Sequence, residues 1–158
     1  MNVEQGILNV EVGPPNFNIQ YSLFDIHYSN ISMTTATIAS ANYTVKLQDG
    51  RHEFLSDEPV EKEGADAGPA PDELLEAALA SCTAITLRMY TERKKWPVAE
   101  IEVTVTLERI ENKTIFTKSI KVNGEIDDAQ RQRLLEIAEL CPVSRTLRGE
   151  MEINGNIS

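Results

Sequence analysis

The stretch Leu74-Leu75-Glu76-Ala77-Ala78-Leu79-Ala80-Ser81-Cys82 constrains the fold more than any other, because beyond Glu76 it is almost wholly small or apolar. A helix that apolar around its circumference has to be covered on more than one side. Pro71 suits the first turn, where a missing N–H is no loss. Asp72 and Glu73 meet the positive end of the helix dipole there. Lys94-Lys95 suit the opposite end, just before Trp96-Pro97. The expectation is a central helix over residues 72–94, wrapped by sheet or by a second subunit.

The flanking segments read as the sheet. Tyr43, Val45 and Leu47 alternate with Thr44, Lys46 and Gln48, the period of a half-buried strand. Asp49-Gly50 suits a two-residue hairpin turn, with Arg51 to Leu55 as the returning strand. Residues 56–71 hold three prolines, two glycines and five carboxylates, and read as a loop. After the helix, Ile101, Val103, Val105 and Leu107 alternate with Glu102, Thr104, Thr106 and Glu108. A polar turn at Glu111-Asn112-Lys113 leads to an antiparallel partner over 114–122. Asp127 opens a second helix, with Gln130 as its capping-box partner. Leu134, Ile137, Ala138 and Cys141 form its apolar stripe, and Pro142 ends it. A short strand around Glu150–Ile153 is expected to complete the chain.

A length of 158 residues suits one domain, and 41% hydrophobic with 25% charged residues can build a core. The net charge of −10, with the acids spread along the chain, argues against nucleic acid or a membrane surface as partner. The partner expected is small, neutral or apolar. No apolar run approaches the roughly 18–20 residues of a membrane span. Residues 1–32 contain no Lys or Arg, unlike the basic start of a signal peptide, so a cytoplasmic protein is expected. That segment carries Pro14-Pro15, several Asn and isolated aromatics without a period. It reads as an N-terminal extension of unknown role, a leader or a covering arm.

Cys82 and Cys141 are the two cysteines, too few for a disulfide scaffold. No Cys-x-x-Cys occurs, and His27 and His52 have no ligand-like spacing to either sulfur, so no metal or other cofactor is expected. Both cysteines fall on apolar faces of expected helices. Leu75, Ala78 and Leu79 lie on one side of Cys82, and Ile85, Thr86 and Met89 on the other. Such surroundings raise a thiol's pKa and make it inert unless a cation or donor arrives from elsewhere. Arg51, Arg88 and Arg145 are the candidate sources. The helix dipole has faded at Cys82, about three turns in.

Two blocks carry a resemblance. The first is Asp57-Glu58-Pro59 followed by Gly68-Pro69-Ala70-Pro71-Asp72-Glu73-Leu74-Leu75 and Ala80-Ser81-Cys82-Thr83. The second is Ile137-Ala138-Glu139-Leu140-Cys141-Pro142-Val143-Ser144-Arg145. Together they resemble the OsmC/Ohr family (osmotically inducible protein C and organic hydroperoxide resistance proteins), over about residues 33–157. The resemblance implies an α+β fold, a curved antiparallel sheet around a central buried helix, in an intertwined homodimer with active sites at the interface. It divides the chain into an extension, 1–32, and an OsmC-like domain, 33–158. It also implies a Cys-based hydroperoxide reductase, with Cys82 as the peroxidatic thiolate, Cys141 as the resolving thiol, and an external thiol or dithiol as reductant. An apolar pocket would favour organic hydroperoxides. Family members place a carboxylate ten residues before the first Cys, paired with an Arg of the N-terminal strands. That position here is Asp72, with Glu73 next, while Ser40-Ala41-Asn42-Tyr43 carries no cation, nearer to the OsmC-like branch. Two other readings stand beside the enzyme: a non-catalytic dimer holding an apolar small molecule at its interface, and a thiol–disulfide redox sensor.

Overall fold

Three helices and five strands follow one another in a computed structural model that describes residues 33–40 and 42–158. The extension proposed over residues 1–32 lies outside the described residues. Strands β1 (Thr35–Ile38), β2 (Val45–Gln48) and β3 (Glu53–Ser56) form one antiparallel sheet. Helix α1 (Pro71–Lys94) comes next, then the long hairpin of β4 (Val98–Ile110) and β5 (Lys113–Gly124), then α2 (Asp128–Ala138) and α3 (Pro142–Arg148). The expected α+β class with antiparallel strands is met. The sheet comes as two separate ladders, one of three strands and one of two. Among the described residues no helix is long and apolar enough to cross a membrane.

Helix α1 starts and stops where its end residues dictate. Pro71 occupies the first turn, and the Glu73 carboxylate accepts the Ala70 N–H at 2.8 Å, half of a capping box, since alanine has no oxygen to return. At the far end Lys95 takes the left-handed conformation (φ 55°), and its N–H bonds the carbonyls of Thr91 and Glu92. One face, Leu79, Thr83, Thr86, Leu87 and Thr91, is buried against the rest of the chain. The other is not: Leu75 is 43% exposed, Ile85 60% and Met89 39%. Cover on all sides is therefore not supplied by the described residues.

The β4–β5 ladder runs in register from Ile110↔Lys113 back to Val98↔Gly124, with a bulge near Val98. Glu111-Asn112 makes the two-residue turn, with Glu111 at positive φ. Gly124 is required where β5 crosses the start of β4, because a Cβ there would sit 2.4 Å from the Pro97 carbonyl oxygen. Two clusters build the core. In one, Leu87, Leu134, Ile137 and Ala138 join α1 to α2, with Ile101, Ile120 and Val122 of the hairpin beneath. Each fully buried Leu or Ile there contributes roughly 1.5–3 kcal/mol. The second cluster is built on Leu79, Val105 and Cys141.

The loop before α1 is organised by one side chain. The buried Asp57 carboxylate accepts the Thr44 hydroxyl and the N–H of Glu58 at 2.8 Å, and those of Ala65 and Ala67 at 3.2 and 3.3 Å. Burial pushes this carboxyl up, but the four donors together outweigh it and hold it below the usual range. Gly64 lets the loop fold back on Glu58, where a Cβ would collide with backbone.

Four sequence expectations need correction. The first hairpin closes with four residues, because Asp49 accepts the N–H groups of Arg51 and His52 and draws both into the turn, so β3 begins at Glu53. Those two bonds lower the Asp49 carboxyl to about 2. Tyr43 precedes β2 in a bend and is exposed. Helix α2 stops at Ala138, and Cys141 follows it as an extended residue, φ −61° and ψ 141°, capping α3. Pro142 thus begins a helix instead of merely ending one, since a pre-proline residue avoids helical torsions while proline favours a first turn. Finally, residues 150–153 form no strand: a strand needs a ladder partner, and among the described residues none pairs with them.

Candidate active site

The fold brings both sulfurs into one apolar cluster. Cys82, halfway along α1, packs against the buried cluster of Leu79, Val105 and Cys141, as do Val103, Phe116, Val143 and Leu147. Both cysteines are free thiols; Cys82 is partly buried and Cys141 completely so. Helix α1 presents Cys82 and Thr83 side by side, and the α2–α3 junction returns Cys141 beneath them.

Cys141 is held by polar contacts in a dry setting. The Ser144 N–H donates to its Sγ at 3.3 Å, and the Thr83 hydroxyl stands 3.4 Å from the same sulfur. Thr83 and Ser144 are themselves buried. Cys82 is tuned differently. Burial pushes its thiol up, the Val143 N–H opposes this, the neighbouring Cys141 adds to it, and the Thr86 hydroxyl opposes it. The net direction is upward, toward the neutral thiol, and none of these influences is a guanidinium.

The three arginines expected as candidate cations have other places. Arg88 donates to the carbonyls of Val98 and Ala99 at 2.7 and 2.9 Å, tying the end of α1 to the start of β4. Arg51 lies in the exposed hairpin turn and Arg145 is exposed on α3. The carboxylates Asp72 and Glu73 sit at the start of α1. Asp72 forms a two-pronged pair with Arg109 of β4, with Nη2 to Oδ1 at 2.7 Å, and that bond holds its carboxyl below the usual range. Glu73 is engaged in the cap. Ten residues of helix rise put Asp72 roughly 15 Å from Cys82 along the axis, so the pair does not touch that sulfur in the same chain.

Sequence reasoning missed Arg109 and assigned no role to Thr83 or Asp57, although both stand in the first resemblance block. A signal for Arg109 existed. Asp72 and Glu76 share a face at i, i+4 spacing, and β4 receives both: Glu76 accepts the Leu107 N–H at 2.6 Å, and Asp72 takes Arg109 two residues on.

A partly exposed thiol beside a buried one, in apolar surroundings, can undergo oxidation to a sulfenic acid followed by condensation to a disulfide. Comparison with known proteins places the chain in a family. The family described as "OsmC-like protein" matches residues 64–155, more than half of the chain. The chain is 29% identical over 108 residues to "Organic hydroperoxide resistance protein-like 1" of Staphylococcus saprophyticus, covering 63% of this chain and 76% of that protein. It is also similar to the crystal structure of an organic hydroperoxide resistance protein from Elizabethkingia anophelis, at 28% identity and TM-score 0.59, over 78% of this chain and 91% of that one. An OsmC-like protein from Mycoplasma pneumoniae shares the fold at 16% identity and TM-score 0.66, over 76% of this chain and 89% of its own.

Proposed function

Because the chain belongs to the OsmC/Ohr family, a family associated with organic hydroperoxide resistance, we propose that it is a thiol-dependent peroxidase acting on organic hydroperoxides. One observation carries the reading. Two cysteines 59 residues apart in sequence share one apolar cluster, both reduced, one partly open and one sealed.

The chemistry runs in three balanced steps. The Cys82 thiolate attacks the distal peroxide oxygen; the O–O bond breaks, Cys82 becomes a sulfenic acid and the alkoxide leaves, taking a proton to become an alcohol. The Cys141 thiolate then attacks the Cys82 sulfur, the S–O bond breaks, and hydroxide leaves to take up a proton as water. Two external thiols finally reduce the Cys82–Cys141 disulfide and are themselves oxidised to a disulfide. The apolar lining of the cluster favours an organic over an inorganic peroxide. Asp72 and Glu73 act as positioning residues in this scheme, fixing the start of α1 through Arg109 and the helix cap.

We also propose that the working unit is a homodimer. The open face of α1, with Leu75, Ile85 and Met89, supports this. So does the small sheet, whose register puts Ala36, Ile38, Val45, Leu47 and Phe54 on one face, with Ile38 55% and Phe54 41% exposed. A second copy would bury both. Light scattering that finds a stable monomer at micromolar concentration overturns the dimer, whose interface should exceed the standard ~1,600 Å². The cytoplasm, where external thiols are kept reduced, is the compartment this chemistry requires.

A second reading has its own support: the upward push on the Cys82 thiol favours a dimer that holds an apolar ligand without chemistry. Peroxide consumption with dithiothreitol separates the two. With dithiothreitol the peroxidase turns over many equivalents at a sustained rate; a thiol–disulfide sensor takes up about one per chain without the reductant and gains little rate from adding it. An apolar binder consumes none, and both sulfurs keep their mass.

A further inference from the structure

A cleft of about 460 Å³ opens beside the sulfur cluster, within the size range of small-molecule sites. Its apolar wall is Leu79, Phe116 and Leu147; its charged wall is Lys113, Lys118 and Arg148. That wall inverts the chain's overall balance of 15 cations to 25 acids. One carboxylate, Glu139, bonds both Lys118, at 2.9 Å, and Arg148. Those cations, Lys118 foremost, hold the Glu139 carboxyl below the usual range despite burial, so it stays ionised. Lys113 forms no ion pair among the described residues. The charged side chains that line the cleft are thus all cations, and Glu139 pairs with two of the three.

We infer that this cleft is a binding site for a small organic carboxylate with an apolar tail, its head at Lys113 and Arg148 and its tail along Leu79, Phe116 and Leu147. The same three apolar residues pack in the cluster of Cys141, and Ser144, which also lines the cleft, donates its N–H to the Cys141 sulfur. An occupant therefore covers the approach to Cys141. The site needs no peroxide chemistry, so it goes beyond the peroxidase reading and stands or falls separately.

Calorimetric titration with octanoate tests it, on the full chain and on the Cys82→Ser protein, which has no peroxidatic thiol. One octanoate should bind per chain in both. Octanol and octylamine should bind at least about tenfold more weakly for want of a matching charge, and acetate likewise for want of a buried tail. The double variant Lys113→Gln/Arg148→Gln should lose roughly tenfold in affinity with unchanged circular dichroism, and added salt should weaken binding. Octanoate should also slow alkylation of Cys141. Octanol binding as well as octanoate, an unchanged affinity in the double variant, or an unaffected alkylation rate each overturns the site. Should the double variant fail to fold, Lys113→Gln alone decides, since that side chain has no ion pair to lose.

Discussion

Cys82 and Cys141 sit in one cluster yet in opposite kinds of structure. Cys82 lies inside a 24-residue helix, partly open, its thiol pushed toward neutrality by burial. Cys141 is sealed, but it occupies the single extended residue that caps α3, held by one N–H and one hydroxyl. A residue in mid-helix cannot move without breaking helix bonds, whereas a junction absorbs movement in a few torsions. For the proposed peroxidase the contrast would divide the labour: the helix would present a fixed sulfur to the incoming molecule, and the junction would bring the second sulfur to it.

The sharpest way to break this division is to remove one sulfur at a time. Cys82→Ser should abolish peroxide consumption. Cys141→Ser should consume about one equivalent and stall, with oxygens added to Cys82 by mass. Oxygens on Cys141 in the Cys82→Ser protein would reverse the roles. Next in size is the support of the junction. Leu134 is 2% exposed at the heart of the α1–α2 core, so Leu134→Ala should lower stability by about 2–5 kcal/mol in urea titration. A loss confined to fractions of a kcal/mol would mean that α2 does not hold Cys141 in place.

Smaller effects sharpen the comparison. Thr83→Val removes the hydroxyl beside the Cys141 sulfur and should slow disulfide formation roughly tenfold while leaving the first oxidation unchanged, the scale of one lost bond to a charged group. Thr83→Ser should restore the rate, and equal slowing of both steps would make Thr83 a packing residue. The pH profile tests the other sulfur. A raised thiol pKa means less thiolate at a given pH, so alkylation of Cys82 should reach half its limit above the ordinary value of 9.0. A midpoint near neutrality would reveal a cation that this chain alone does not supply. Smallest is Asp127→Ala, which deletes the α2 cap and should cost about 1 kcal/mol in the same urea titration, without changing either oxidation step.

Features set by neighbours in sequence were legible. The limits of α1, the alternation of β4 and β5, and the Asp127–Gln130 capping box each follow from residues within one turn or one strand. The Leu134, Ile137, Ala138, Cys141 stripe was also right about burial, although the helix ends before its last member. What could not be read depends on distance or on a competing bond. Arg109 meets Asp72 across 37 positions, and Thr83 meets Cys141 across 58. Asp49 rewrote the first turn by taking two backbone donors, where the Asp-Gly pair alone suggested a shorter one. The strand expected at 150–153 failed because alternation supplies a face but not a ladder partner.

Asp57 has a consequence for the order in which the chain assembles. Its bonds to Ala65 and Ala67 close rings of eight and ten residues, whereas the two sulfurs must meet across 59. Rings of that size close in roughly 10–100 ns, and closure grows less favourable as the intervening chain lengthens. The loop can therefore set early, and it delivers the first turn of α1 in a defined direction while Cys141 is still far away. Pulsed hydrogen exchange during refolding should then find the Ala65 and Ala67 amides protected ahead of Ser144, so that the first piece of the site to form is the one that carries no sulfur.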